Sequence, residues 1–328
     1  MTRYHHPAGK QFRFIKHGCH WLPDIADALI KRLNSPGRMR AEHNRAAIGE
    51  TIIRQLFDNQ RSKLRLSACG SCARQQAFTH HNFVENGHTI DAAARLTFAV
   101  GDACEAMLVA CLKEAFAGTV ADAHRVGEDQ AEVCIDVPFG RDGKQVATIT
   151  GHPDGAIRVP VFRDGEESPT KEWAILEVKS MSDYAFKRFR ADGIQEDHQY
   201  YYQVQAYMLA TGIKRAYMLG FGKSSTAKEA MITEHDWSPL FPLVGQWIYE
   251  DKEKQEEIKE KFKTILESGS PFDIGVPYKP NKKGFISFPC DYCSYYKHCF
   301  PQSTEVAKTT KWLQTSTKVK VCVGEDND

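Results

Sequence analysis

The chain has 328 residues, 42 % of them apolar and 26 % charged, with a formal net charge of +1. That composition excludes a disulfide mini-scaffold, a fibrous repeat and a largely disordered polypeptide, and it leaves room for one large domain or two ordinary ones. No stretch of 18 residues lacks charge; the most apolar window, Ala92 to Leu112, is interrupted by Arg95, Asp102 and Glu105, so no membrane span is expected. The opening MTRYHHPAGK has no apolar segment behind its charges, which makes a secretory signal unexpected and the cytoplasm the expected location.

Leu22, Ile25, Leu29 and Leu33, then Ile48, Ile52 and Phe57, recur at helical spacing and predict two helices over 22–60, parted at Ser35-Pro36-Gly37. A third helix is expected over 92–116. Short strands follow at Val133-Ile135-Val137, Val146-Thr148-Thr150 and Ala156-Ile157-Val159, the last after a Gly-His-Pro-Asp-Gly turn read as the tip of a hairpin. Trp173 to Val178 is a nearly continuous apolar run, as for a strand covered on both faces. Next come a helix over 196–211, a strand over 216–221, another around 230–233, and a long charged helix over 240–266. A Pro/Gly-rich link leads to clustered cysteines, and the polar tail beyond Glu305 is expected to fray. This order reads as an α/β fold, one mixed central sheet flanked by helices. Its divisions are a helical N-terminal region (1–90), a core (91–238), a long helix with a cysteine-bearing cap (239–305) and a tail (306–328). No internal repeat is visible.

Charge is unevenly spread. Lys31 to Arg74 carries ten Lys or Arg against three acids. Such a segment is either a solvated helical face or a phosphate-binding patch. The ten cysteines include two clusters, Cys69-Gly-Ser-Cys72 and Cys290-x-x-Cys293-x₅-Cys299. In a reducing compartment, clustered cysteines read as metal ligands before disulfides.

The acidic positions bear the chemistry. Glu177 and Lys179 stand two apart in Leu176-Glu-Val-Lys-Ser180, so strand geometry puts both on one face with Val178 opposite. Burying that pair costs several kcal/mol unless the two neutralise each other or ligate a metal; an ion pair closing a strand is the simplest reading. Asp154 adds a second carboxylate, by itself ordinary turn chemistry. Glu105, one helical turn after Gly101, is a third acid in an apolar helix. Gln203 and Tyr207 share one helix face at i and i+4.

In this order, Gly-x-x-x-Glu, Gly-x-x-Asp, Glu-x-Lys and Gln-x-x-x-Tyr, the chain resembles the RecB-type branch of the PD-(D/E)XK nuclease superfamily over about Leu96 to Gly222. The resemblance implies a restriction-endonuclease-like core in which Asp154, Glu177 and the Val178 carbonyl hold Mg²⁺ or Mn²⁺, with Glu105 ligating or orienting a second ion or its water. It further implies that Lys179 positions the attacking water and stabilises charge on the phosphate, and that Gln203 and Tyr207 orient the attacked strand. Lys179-Ser-Met-Ser-Asp-Tyr-Ala-Phe186 and the later Gln-Val-Gln-Ala-Tyr-Met208 are similar to phage-type recombination or replication exonucleases. That implies hydrolysis at DNA ends, single-stranded or duplex, in recombination, repair or phage or CRISPR DNA processing, in a bacterial or phage-infected cytosol. A homo-oligomer or a recombination or replication partner protein fits the same picture. Arg74, Lys187, Arg188 and Arg190 are candidate DNA contacts. A structure-specific endonuclease, an RNase on the same core and a non-catalytic DNA-binding module are the rival readings.

Two ligand sets fit the cysteines. Cys69, Cys72, Cys290 and Cys293 would form two zinc knuckles and leave Cys299 spare. Cys72 with Cys290, Cys293 and Cys299 uses the whole C-terminal group and suits a 4Fe–4S cluster. Arg65-x-Ser67 and Cys72-Ala-Arg74 resemble the first ligand region of iron–sulfur RecB-type nucleases, including those of CRISPR adaptation and AddB subunits, although Ala73 replaces a common Pro and Cys69 is additional. The cluster is therefore the expected group, as a C-terminal Fe–S cap, with zinc the alternative. Joining Cys72 to the distant trio would remove on the order of 4–5 kcal/mol of entropy from the unfolded chain.

Overall fold

The computed structural model describes residues 14–17, 20–29, 64–86, 99–112, 122–124, 132–164, 168–222, 243–280, 285–301, 303–309 and 315–321, apart from 27, 102, 110 and 287. Most of the basic segment, most of the helices expected over 22–60 and the strand expected around 230–233 lie outside the described residues.

The strands β1 (Phe14–His17) and β2 (His20–Pro23) open the chain, and residues 25, 26, 28 and 29 are helical. A 3₁₀ turn, Leu66–Ala68, precedes α1 (Ala73–His80); α2 covers 99–112, followed by β3 (Asp122–His124). Then come β4 (Val133–Phe139), β5 (Gln145–Gly151), β6 (Gly155–Arg163) and β7 (Thr170–Met181). The helices α3 (Asp183–Asp192) and α4 (Gln199–Thr211) lead to β8 (Arg215–Gly222) and β9 (Leu243–Tyr249). After α5 (Lys252–Glu267) and the short α6 (Tyr296–Cys299), β10 (Ser303–Thr309) and β11 (Thr315–Val321) complete the described chain.

Seven strands form one mixed sheet in the order β1-β2-β6-β7-β8-β9, with β3 also paired to β6. β6 runs antiparallel to β7, and β8 runs parallel to it with Glu177 opposite Met218. A parallel neighbour requires a crossover, which α3 and α4 supply. The Ala174–Val178 stretch of β7 is buried on both sides, as its apolar string, interrupted at Glu177, demands of an inner strand. Ala174, Leu176 and Val178 pack with Ile157, Val159 and Leu219 beneath Leu108 and Leu112 of α2. Ile175 and Met181 face the other layer, with Val204 and Met208 of α4, Phe186 of α3 and Phe262 of α5. The molecule is thus a mixed α/β sandwich with helices on both faces of the sheet, the expected class. Glu177 and Lys179 share the phase of Ile175 and Met181, so they point toward α4.

Four expectations are corrected. The helix predicted from 240 begins only at Lys252, where the Asp251 side chain accepts the Lys254 N–H at 3.1 Å. Leu243–Tyr249 is strand β9, its β-branched and aromatic residues held by an antiparallel ladder to β8 that helical spacing cannot report. The N-terminal region is not all helical: Leu22 belongs to β2, which pairs His20 and Trp21 with Arg163 and Phe162. The Gly151–Gly155 segment is not a hairpin tip but the link between two sheets, since β5 pairs with β4 while β6 pairs with β7. The tail from Glu305 is not frayed throughout, because β10 and β11 form an antiparallel hairpin from sequences rich in Thr and Val.

Candidate active site and cysteine pocket

Pairing of Gly155 with Leu176 brings Asp154, just ahead of β6, beside Glu177 on β7. Asp154 Oδ2 accepts the Val178 N–H at 2.7 Å, so Val178 meets the site through its backbone while its side chain stays in the core. Glu177 has no exposed surface. Its Oε1 accepts from Lys179 Nζ and from Gln203 Nε2, the latter at 2.7 Å, whereas its buried Oε2 has no partner. Glu105 arrives on α2, from the opposite layer, and shares a hydrogen bond with Asp154.

Burial, then the charge of Asp154, pushes the Glu177 carboxyl well above its ordinary range. The same two causes, with Glu177 added, raise Glu105. Burial pulls Lys179 down, but Glu177, Asp154 and Glu105 outweigh it and hold the ammonium above its ordinary value. Among the described residues, Lys179 therefore faces three carboxyl groups, and the buried cluster is short of positive charge. A donor set of carboxylate oxygens suits a hard divalent cation, and the unpartnered Glu177 Oε2 is an acceptor such an ion would satisfy. Among the described residues, no group of three or more His, Cys, Asp or Glu is already spaced as the ligands of one ion. Glu105 and Asp154 instead bond to one another.

Helix α4 forms a frame around this cleft. The His198 side chain accepts the Tyr200 N–H at its start, and Gly212, at φ +72°, ends it. Gln203 Nε2 also donates to the Tyr207 hydroxyl at 3.1 Å, and that hydroxyl donates to the His152 carbonyl at 3.0 Å. These two side chains, expected to orient a DNA strand, are committed to Glu177 and to the turn that presents Asp154. Gly151 explains its own motif: a Cβ there would stand 2.7 Å from Leu66 Cβ and 2.9 Å from Tyr207 Cε1. Tyr200, 5.5 Å beneath Lys179 Nζ, and Leu66 are part of the site that motif reading missed. The crowded tyrosines around Gln203 were the available signal for Tyr200; for Leu66 there was none.

Of the basic candidates, Lys187, Arg188 and Arg190 are exposed on α3, directly after the strand bearing Lys179. Arg188 lies 6.0 Å from the ring of Tyr184, which is 73 % exposed. Arg74 is turned elsewhere. Its Nε donates to the Pro271 carbonyl at 3.1 Å and its Nη2 to the Phe272 carbonyl at 3.0 Å.

Cys72, Cys290, Cys293 and Cys299 line one pocket, with Arg74, Phe78 and Tyr296 among its other walls. Burial pushes the Cys293 thiol up to about 11 and raises Cys299. Cys69 stays out of this pocket, wholly buried among core residues with its thiol driven up to about 12 by that burial. The carbonyls of Cys69 and Ser71 both accept from Lys261 Nζ, the first at 2.6 Å. The four thiols line one pocket, although among the described residues no three His, Cys, Asp or Glu side chains are placed as the ligands of one ion. Residues 65–72 connect the two sites: Arg65 bridges to Thr150, Leu66 touches Gly151, and a Cβ at Gly70 would lie 2.4 Å from Gln199 Cα.

No family model and no curated protein matches the chain. Among solved structures, SSO0001 aligns at 13 % identity over 76 % of this chain and 92 % of its own, with a TM-score of 0.41. LHK-Exo, an alkaline exonuclease from Laribacter hongkongensis solved in complex with dAMP, aligns at 15 % identity over 66 % of this chain and 90 % of its own, with a TM-score of 0.38. A phage-related exonuclease from Haemophilus somnus aligns at 13 % identity over 62 % and 93 %, with a TM-score of 0.27.

Proposed function

We propose that the chain is a Mg²⁺- or Mn²⁺-dependent deoxyribonuclease of the PD-(D/E)XK type that hydrolyses phosphodiester bonds at DNA ends. The observation that carries this reading is the convergence of Glu105, Asp154, Glu177 and Lys179, from three elements in two layers, on one cleft short of positive charge. A hard cation bound there supplies Lewis acidity to the phosphate and acidifies the attacking water. Asp154 and Glu177 would hold it, Glu105 completing the oxygen set. Lys179, positively charged and poised on Glu177, stabilises charge that develops on the phosphate oxygens. Gln203 and Tyr207 are positioning residues, one fixing Glu177 and the other the turn before Asp154. Action at ends rather than within strands rests on the resemblance of the Lys179–Phe186 segment to phage-type exonucleases.

The cysteine pocket is read as the seat of a 4Fe–4S cluster with a structural role, since phosphodiester hydrolysis needs no electron. Support comes from the ligand set: the whole C-terminal trio and Cys72 face one space, while Cys69, which a two-knuckle zinc site would require, does not.

The test is digestion of end-labelled linear DNA and covalently closed circles with Mg²⁺, by the wild type and by Lys179→Ala. Loss of linear DNA with circles spared, abolished in the variant while DNA binding persists, supports the assignment. Unchanged cleavage by the variant overturns the site, and nicking of circles overturns action at ends. Absorption near 400 nm with bound iron supports the cluster; a colourless protein with stoichiometric zinc refutes it.

A further inference from the structure

The cysteine pocket has a charge problem of its own. Four thiolates carry four negative charges, and either a zinc ion or a 4Fe–4S core in its oxidised state returns only two. A net negative group held in a partly buried pocket needs a fixed positive partner. Among the described residues that line the pocket, Arg74 is the cation. Its position is built rather than incidental. Arg74 is the second residue of α1, two after Cys72, and it lines the same pocket as Cys299, where its charge favours the thiolate. Its donors anchor it on the Pro271 and Phe272 carbonyls, with the guanidinium carbon 5.5 Å from the Phe272 ring centroid. Those carbonyls lie in a turn that Ser270 and Asp273 cap from both sides, so the anchor is rigid. One planar fork thus ties the first cysteine-bearing segment to the turn after α5, beside Cys299. A lysine could supply the charge but not the fork.

We propose that Arg74 is a positioning residue of the cysteine pocket, orienting Cys299 toward the space shared with Cys72, Cys290 and Cys293 and supplying the counter-charge for the bound metal group. This rests on the reading of the pocket as a metal site and removes Arg74 from the DNA path. Hydrogen bonds from outside a ligand set change metal affinity by roughly 10–100-fold.

The experiment compares wild type, Arg74→Gln and Arg74→Lys as purified metal-loaded proteins. Bound iron and zinc are measured by elemental analysis, then the rate of metal loss to excess chelator, then the melting temperature of the metal-free proteins. We expect Arg74→Gln to lose its metal at least about tenfold faster than wild type and Arg74→Lys to fall between them, with metal-free melting alike in all three. Iron or zinc in the wild type identifies the group without altering this expectation. Equal release rates in wild type and Arg74→Gln overturn the proposal. So does a loss of metal-free stability in Arg74→Gln that accounts for the faster release, since it would make the residue mere packing. A wild type that binds neither metal overturns the pocket reading itself, a different failure.

Discussion

The carboxylate cleft and the cysteine pocket each collect acidic groups that burial drives away from their charged forms, yet they are assembled from unlike materials. The cleft sits on the sheet. Asp154 and Glu177 are fixed by strand pairing, and their partners Gln203 and Tyr207 by a 13-residue helix packed on that sheet. The pocket draws on short pieces, a 3₁₀ turn at Cys290–Tyr292 and a four-residue helix ending at Cys299, brought to the head of α1 from more than two hundred residues away. Its own apolar cluster is small, centred on Ile286, Cys290 and Tyr296, with Phe78 stacking on Tyr295 and His298. Secondary structure holds the cleft's shape, whereas the pocket rests on short segments and a small apolar cluster.

Neutralising one carboxylate would sharpen that contrast most. In Glu105→Gln, cleavage should fall at least about 10²-fold, while the metal-free protein melts within a few degrees of wild type, because burial and the hydrogen bond with Asp154 already favour a protonated Glu105. A metal-free melting temperature lowered by more than that would show that the cleft depends on this carboxyl group for its fold.

At the pocket the signs should reverse. Cys299→Ala should lose the metal group and, with it, stability of up to about 4–5 kcal/mol, read from denaturant unfolding. Cys69→Ala should keep full metal content and cost about 1 kcal/mol for the atom removed from the core. Metal loss in Cys69→Ala with retention in Cys299→Ala would restore the two-knuckle arrangement.

The strap between the sites offers a smaller effect. A methyl at Gly70 would strike the Gln199 backbone, so Gly70→Ala should cost about 1–3 kcal/mol and weaken both metal retention and cleavage. Loss of one without the other would uncouple the sites.

The smallest effect is in pH. Burial first, then the nearby Arg188 charge, lowers His198 below its ordinary 6.5, and its neutral Nδ1 caps α4. Because the folded-state value lies below the unfolded one, this contribution is complete above about pH 6.5 and is lost as pH falls through the folded value. Melting followed from pH 7 to 5 should show His198→Asn, whose cap does not titrate, losing less stability than wild type, by under about 1 kcal/mol. Parallel curves would assign the cap no energetic role.

How much was legible beforehand varied with how local its cause is. The β7 run Ala174–Val178 announced a doubly covered strand because such a strand is apolar at nearly every position, and two-residue alternation placed Glu177 and Lys179 on one side of it. The motif order marked Glu105, Asp154, Gln203 and Tyr207, but not what the last two would touch. Their hydrogen bonds go to Glu177 and His152, partners set by how α4 lies on the sheet. Leu243–Tyr249 was misread because its strand character comes from β8 beside it rather than from its own spacing.

What the amino-acid string determined by itself was the covered strand, the acids and lysine in order, and the cysteine trio: features written in spacing along the chain, where backbone geometry alone decides which side chains can meet. Tertiary structure alone decided that Glu105 reaches the cleft from the opposite layer, that Cys69 is left out of the pocket, and that Arg74 faces Cys299. Each depends on packing between segments tens to hundreds of residues apart, and distances across a fold are fixed by the core that fills it, not by the length of chain between.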